Sequence, residues 1–335
     1  MIPSTCVESG CEGLILVTGG AGYVGSHICK ALAQAGEEHL VFDNLSTGHA
    51  WAVRWGELFQ GDICRPKDLR DCFRRHPIDA VIHFAALSLV GESGVKPAEY
   101  YQTNVVGTLN LLNVMREFEV KSIVFSSSAA VYGEPEEIPI PESHPLRPVN
   151  VYGRTKVMME QLMADFYQAY GICYAALRYF NAAGAALGGD IGEVHDPETH
   201  LIPNIIHAAF RKQKAIEIYG TDYPTADGSA IRDYVHVDDL AQAHLSALAL
   251  LRGGQNAGPI NLGSNLGISV WQVLATAEDV LAMPIPHCPR SRRSGDPVIL
   301  VASNAKARQV LQWEPQYDLA AMIRSAAAFF YPTRR

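Results

Sequence analysis

No uninterrupted apolar run in the 335 residues reaches the length of about 20 that a helix needs to cross a bilayer, and Met1–Gly13 holds no basic segment followed by an apolar core. A cytoplasmic protein is expected. Cysteine is scarce and unpatterned. The seven thiols (Cys6, Cys11, Cys29, Cys64, Cys72, Cys173 and Cys288) are odd in number and contain no C-x-x-C, so neither a disulfide framework nor a zinc ribbon is indicated. Positive charge is short as well: 27 Lys and Arg face 35 Asp and Glu, and the net charge of −8 argues against a general attraction to nucleic acid or anionic lipid. With 48% hydrophobic and 19% charged residues the chain has an ordinary globular balance, enough for two domains or one large α/β unit, and its partner should be a small molecule.

What is present begins at Leu14. Leu14–Val17 is a short, partly β-branched apolar run that suits a strand buried on both faces of a parallel sheet. Gly19, Gly22 and Gly25 follow at G-x-x-G-x-x-G spacing, which permits a tight turn, close approach of a ligand to the backbone, and close packing of a helix expected from Tyr23. The free N–H groups and positive dipole end of that helix suit a pyrophosphate. A second strand, His39–Phe42, ends in Asp43, where a carboxylate accepts both ribose hydroxyls of an adenosine and repels a 2′-phosphate, favouring NAD over NADP. Asn44–Trp55 is expected as a loop near that adenosine. Asp62 stands either at the adenine edge or as a cap for the helix near Pro66.

The run Asp79–Ala86 ends in small residues, as a backbone lying against a flat cofactor requires, and His83 inside it is expected as a packed core histidine. A helix over Tyr100–Phe118 carries Val105, Leu109, Leu112 and Met115 on one face, and Ile123–Ser126 is a fifth strand. Alternating strands and helices predict a Rossmann-like doubly wound parallel sheet over 13–181, rejoined by 235–263, with 1–12 a frayed tail and 182–335 a smaller α+β substrate domain. Ser269-x-x-Gln272 reads as a capping box.

Ser126, Ser127 and Ser128 close the fifth strand, and Tyr152 and Lys156 lie four apart on one helix face further on. A free phenol, with a pKa of about 10, is a poor base at neutral pH; a nearby ammonium and a nicotinamide favour phenolate and are expected to lower it. Tyr152 then takes a carbinol proton while Ser128 steadies the same oxygen.

These residues resemble the extended short-chain dehydrogenase/reductase family, and within it the branch that epimerises UDP-hexoses at C4. The likeness runs from about Leu14 to beyond Asp296, through Thr18–Ser26, Asp43-Asn44-Leu45, Gly61-Asp62-Ile63, His83-Phe84-Ala85-Ala86, Val90-Gly91-Glu92-Ser93, Ser126–Ser128, Val131-Tyr132-Gly133, Arg178–Asn181 and Arg232–Val237. The resemblance implies a tightly held NAD, with Tyr152 as base, Ser128 as hydrogen-bond donor and Lys156 on the nicotinamide ribose. It also implies cofactor contacts from Gly19, Gly22, Tyr23, Val24, Gly25, Asp43, Asn44, Leu45, Ser46, Thr47, Gly48, Asp62, Ile63, Phe84, Ala85, Ala86, Ser88, Asn104, Ser126, Tyr179 and Phe180. The implied substrate is a UDP-sugar, UDP-glucose or UDP-galactose, met by Ser128, Tyr152, Asn181, His200, Leu201, Tyr219, Arg232, Arg293, Asp296 and Leu300. A homodimer follows by the same analogy. Arginine suits phosphate because its planar fork holds oxygens in pairs; Arg293 is read that way, and Arg290 and Arg292 as a solvated basic loop.

Three positions depart from the branch, which often has Lys at Ser88, Asn at His200 and Tyr at Leu300. The last two bear on the sugar accepted, and leave UDP-N-acetylglucosamine and UDP-xylose/UDP-arabinose as alternatives. Nucleotide-sugar dehydratases and decarboxylases share the fold, but use an acid just after the serine, where this chain has Ala129 and Ala130. Non-enzymatic NAD-sensing modules commonly lose the Tyr or Lys that this chain keeps. No metal is assigned: the spacing of His195 and His200 matches no helical ligand pair.

Overall fold

The computed structural model describes residues 13–211, 215–293 and 296–332; the expected tail at 1–12, with Cys6 and Cys11, lies outside them. Seven parallel strands form the main sheet. In chain order they are β1 (Leu14–Thr18), β2 (His39–Asp43), β3 (Glu57–Gln60), β4 (Ile78–His83), β5 (Ser122–Ser128), β6 (Cys173–Tyr179) and the strand Gly258–Leu262. Across the sheet the order is Gly258–Leu262, β6, β5, β4, β1, β2, β3. The order therefore reverses between β1 and β4, and the crevice above their carboxyl ends is where such sheets hold ligands.

The strands read as continuous apolar runs because both faces are covered. On one side, α1 (Tyr23–Gln34) and the helix Val237–Arg252 bury Ile28, Leu32, Leu240 and Leu248 against Ile15, Val17 and Val41. On the other, Leu69, Leu111, Met115, Met159 and Met163 pack against Leu16, Val81 and Ile123. A second lobe is built from the helices Leu201–Arg211, Val270–Leu281 and Leu319–Phe330, around Ile206, Val273 and Ile323. Its sheets are small: Tyr234–His236 pairs with Asn181–Ala183, Ile231–Arg232 lies between Ile268–Ser269 and Ile299–Leu300, and His287–Arg290 pairs with Ile216–Tyr219. Ser269 and Gln272 form the capping box that their spacing predicts. No helix among the described residues is long and apolar enough to cross a membrane.

One element departs from its sequence pattern. Tyr101–Val106 is a π-helix that becomes α-helical over Gly107–Glu117. The wider turn shifts the phase of the apolar face, so that Asn104 is fully buried while Val106 is exposed.

Of the buried histidines, His27, His83, His236 and His244 have pKa values that burial lowers to about 4, 3, 4 and 4. The unfolded chain binds these protons more tightly, so stability is undiminished above pH 6.5 and falls as the pH drops toward 4. Each group contributes a slope approaching about 1.4 kcal/mol per pH unit inside that window. Acid titration of the unfolding free energy should show this steepening, and His244→Gln should make it shallower by about one proton; a slope unchanged by that replacement would contradict the assignment.

Candidate active site

The glycine turn is dictated by what lies against it. Gly19 has φ +73°, and a Cβ there would stand 2.6 Å from Ala85 N, because Phe84 N and Ala85 N both donate to Thr18 O. A Cβ on Gly25 would meet Gly19 O at 2.3 Å, so the helix can lie this close to the turn only with glycine. Gly22 is the N-cap of α1 and supplies no side-chain cap, which leaves the first-turn amides at Tyr23 and Val24 pointing out of the helix end. The Tyr23 hydroxyl is directed elsewhere, donating to Gly184 O at 2.7 Å.

Asp43 ends β2 and holds the turn. Its Oδ2 accepts from Ala21 N at 3.0 Å and its Oδ1 from Leu45 N at 2.8 Å. Burial raises its pKa, and these two amides oppose the rise. Asn44 Oδ1 accepts from Ser46 N, Ser46 and Thr47 are exposed, and Gly48 is pressed so closely on Ala21 that a Cβ would approach the Ala21 Cβ to 2.9 Å. The 44–48 loop thus lies over the glycine turn. Asp62 does not cap the following helix, whose N-cap is Arg65; its Oδ1 accepts from Cys64 N at 2.8 Å, and Ile63 packs on Gly107.

Phe84, Ala85 and Ala86 follow β4 beside the turn, with Ser88 exposed beyond them. Asn104 shapes this loop from beneath: its Oδ1 accepts from Leu87 N at 2.8 Å, and its Nδ2 donates to Leu87 O and to Thr155 Oγ1 at 3.0 Å each. His83 is locked between two threonines. Thr108 Oγ1 donates to Asn104 O, so His83 Nε2 donates to Thr108 and its Nδ1 accepts from Thr18 Oγ1 at 2.7 Å.

Ser128 is the last residue of β5. The helix Val151–Tyr170 is capped by Asn150, whose Oδ1 accepts from Gly153 N, and Gly153 lets it pack so closely that a Cβ would stand 2.3 Å from Ala130 O. That packing carries Tyr152 beside Ser128, whose hydroxyl favours the phenolate. Lys156, one turn on and 2% exposed, donates to Ser126 O at 2.7 Å, with its ammonium 5.7 Å from the centroid of the Tyr152 ring. Ser126 Oγ is hydrogen-bonded to the Tyr179 hydroxyl.

Within the protein alone, burial pushes the Tyr152 phenol up to about 12, and the force opposing the rise is the nearby Ser128 hydroxyl. Lys156 cannot help much, since burial lowers its own pKa to about 7, opposed by Glu160. Glu160 belongs to a buried network unanticipated from the sequence. Arg178 grips it through Nε at 2.8 Å and Nη2 at 2.5 Å, Ser127 Oγ donates to it at 2.5 Å, and Arg178 Nη1 reaches the Tyr132 hydroxyl, which donates to Asn261 Oδ1. The available signal was a lone Glu four residues after Lys156, on the same helix face.

The second lobe supplies the remaining residues. Arg232 pairs with Asp296 at 2.5 Å and lies opposite Leu300 in a strand pair. Leu300 and Phe180 pack on Val131, Tyr132 and Ile140. The Arg293 guanidinium stacks 3.9 Å from the Tyr219 ring centroid and has no carboxylate partner among the described residues. Arg290 and Arg292 instead make exposed pairs with Glu217 and Asp222. Asn181 N donates to Asp233 O, and His200 Nδ1 lies 2.7 Å from Glu193 Oε1, just before Leu201 opens its helix.

Residues 15–263 match the NAD dependent epimerase/dehydratase family. A UDP-glucose 4-epimerase of Halalkalibacterium halodurans is 51% identical over 313 residues, covering 93% of this chain and 94% of that protein. The crystal structure of UDP-glucose 4-epimerase from Brucella ovis in complex with NAD superposes with a TM-score of 0.92 at 46% identity, covering 95% of this chain and 98% of that one. The UDP-glucose 4-epimerase from Bifidobacterium longum, in complex with NAD+ and UDP, gives a TM-score of 0.89 at 36% identity, covering 94% and 97%. With half its residues shared over nearly its whole length, and a matching fold, this chain belongs to the NAD-dependent epimerase/dehydratase family.

Proposed function

We infer that this chain interconverts UDP-glucose and UDP-galactose, as an NAD-dependent UDP-sugar 4-epimerase acting through a 4-keto sugar. The observation that carries the reading is the meeting of Tyr152, Ser128 and Lys156 at the end of β5, next to the crevice that the glycine turn borders. The turn suits a dinucleotide: α1 offers uncapped amides for a pyrophosphate, Gly22 leaves its approach open, and Asp43 stands at the end of β2 for the ribose. A bound NAD would supply the acceptor and then the donor of the C4 hydride, so that no net redox results.

The chain's own residues move the proton. Tyr152 takes it from the C4 hydroxyl and gives it back, and Ser128 hydrogen-bonds the same oxygen. Lys156, whose pKa burial lowers to about 7, is the cation beside the phenol below that pH. Because the sugar has to turn within the site, anchoring falls on the nucleotide diphosphate, for which Arg293 offers a guanidinium free of carboxylates and Arg232 one shared with Asp296. In this reading 13–181, with 235–263 returning to it, binds NAD, and 182–335 binds the UDP-sugar. A homodimer is inferred, with Val106 and Met158 exposed on neighbouring helices as surface for a second copy; the free thiols of Cys29, Cys64, Cys72, Cys173 and Cys288 support a reducing, cytoplasmic setting.

The test is incubation of purified protein, without added cofactor, with UDP-glucose, UDP-N-acetylglucosamine or UDP-xylose, followed by NMR of the sugar protons. UDP-glucose should yield UDP-galactose. Protein that contains NAD and leaves UDP-glucose unchanged would overturn the reading, and faster conversion of either other sugar would transfer the assignment to that sugar.

A further inference from the structure

The loop that leads into the helix Leu201–Arg211 folds four ligand-bearing side chains onto one point. Donor atoms of Glu193, His195, Glu198 and His200 all lie within 4.8 Å of one another. Glu193 Oε1 stands 2.7 Å from His200 Nδ1 and 3.2 Å from His195 Nδ1; Glu198 Oε1 stands 3.2 Å from His200 Nδ1, and its Oε2 3.7 Å from His195 Nδ1. Ligands about 2.1 Å from a tetrahedral ion are separated from each other by about 3.4 Å, so these separations bracket the edges of such a polyhedron.

His200 is paired within the set, its Nδ1 hydrogen-bonded to Glu198 Oε1 at 3.2 Å, and His195 is the exception. His195 Nδ1 is shielded from solvent and has no hydrogen-bond partner, although a carboxylate oxygen is 3.2 Å away. Its nitrogen therefore does not point along a line to that oxygen. An imidazole nitrogen that faces a common centre rather than a single oxygen has this geometry. The set is also held in place from outside. Glu198 Oε1 accepts from Thr199 N and His200 N at 2.8 Å each, His49 Nε2 hydrogen-bonds Val194 O, and the Glu193 side chain is only 4% exposed. Supporting contacts of this kind orient first ligands before an ion arrives.

We propose that Glu193, His195, Glu198 and His200 form a binding site for one divalent transition-metal ion of the zinc type. Two imidazoles and two carboxylates give the mixed nitrogen and oxygen set that such ions accept, and two carboxylates balance the charge of one divalent ion. The ion ties the two ends of the 193–200 loop together and so fixes where the helix beginning at Leu201 enters the second lobe. Sequence spacing hides the site, because the ligands sit on an irregular loop rather than at helical intervals.

The experiment uses the full-length, NAD-containing protein dialysed against a chelator and then titrated with Co2+, reading visible absorption, with Zn2+ content measured separately after gel filtration. One equivalent of Zn2+ and the intense absorption of four-coordinate Co2+ are expected, both saturating at one ion per chain. His195→Asn should weaken Co2+ binding at least about 100-fold, while His287→Asn, on a distant exposed strand, should leave it unchanged. Wild-type protein that retains no Zn2+ and gives no such absorption overturns the proposal whatever the variants do. Equal affinity in wild type and His195→Asn, with NAD content and thermal midpoint showing that the variant is folded, overturns it as well.

Discussion

Tyr152→Phe is expected to lower kcat by about 100- to 10,000-fold, the usual contribution of a positioned proton-transfer group, and to leave the NAD content of the purified protein unchanged. Phenylalanine keeps the ring that packs at the start of the Val151–Tyr170 helix and removes only the hydroxyl beside Ser128. Because the proposed diphosphate anchors, Arg232 and Arg293, lie in the other lobe, substrate affinity should be nearly preserved and the loss should fall on kcat rather than KM. Single-turnover transfer to NAD, read by absorbance, separates chemistry from product release. A kcat within about threefold of wild type would remove Tyr152 from its role, since general acid–base catalysis is worth far more than that.

The phenol also shows where sequence reasoning stops. Four-residue spacing places Lys156 on the same helix face as Tyr152, and the structure has it there, 5.7 Å from the ring. Spacing carries no information on burial. Both groups are desolvated, so within the protein alone the phenol rises and the ammonium falls. The strands begun by Leu14–Val17, His39–Phe42, Asp79–Ala86 and Ile123–Ser126, the glycine turn and Asp43 were legible because each rests on a local pattern: an apolar run, a glycine spacing, a polar residue at a strand end. Asn104 was legible only as a residue near the cofactor. Its contacts to Leu87 and Thr155 join segments far apart in sequence, and the π-helical turn that buries it has no periodicity to announce it. The second lobe was harder still. Ile231–Arg232, Ile268–Ser269 and Ile299–Leu300 are two-residue strands, too short to show alternation, yet they are what sets Leu300 opposite Arg232.

Arg178→Met should destabilise the protein by about 3–5 kcal/mol, the cost typical of removing one partner from a buried ion pair. The guanidinium is 2% exposed and the Glu160 carboxylate 6%. Without Arg178, Glu160 keeps the hydrogen bond from Ser127 but has lost both contacts to its counter-charge, and Tyr132 loses a donor while retaining Asn261. The penalty belongs to the abandoned carboxylate and not to the missing contact itself, which separates this account from one of packing. If so, Arg178→Met combined with Glu160→Leu should recover much of the loss, because an apolar pair of similar volume needs no desolvation of charge. Denaturant midpoints at constant slope measure both variants. Function should follow in a defined way: Glu160 is one turn beyond Lys156 and is the charge that opposes the lowering of its pKa, so the double variant should move the Lys156 titration further below about 7 and shift the alkaline limb of the pH–rate profile to lower pH. A single variant within about 1 kcal/mol of wild type, or a double variant no more stable than the single, would show that the Arg178–Glu160 pair is not what holds the catalytic helix against β5 and β6.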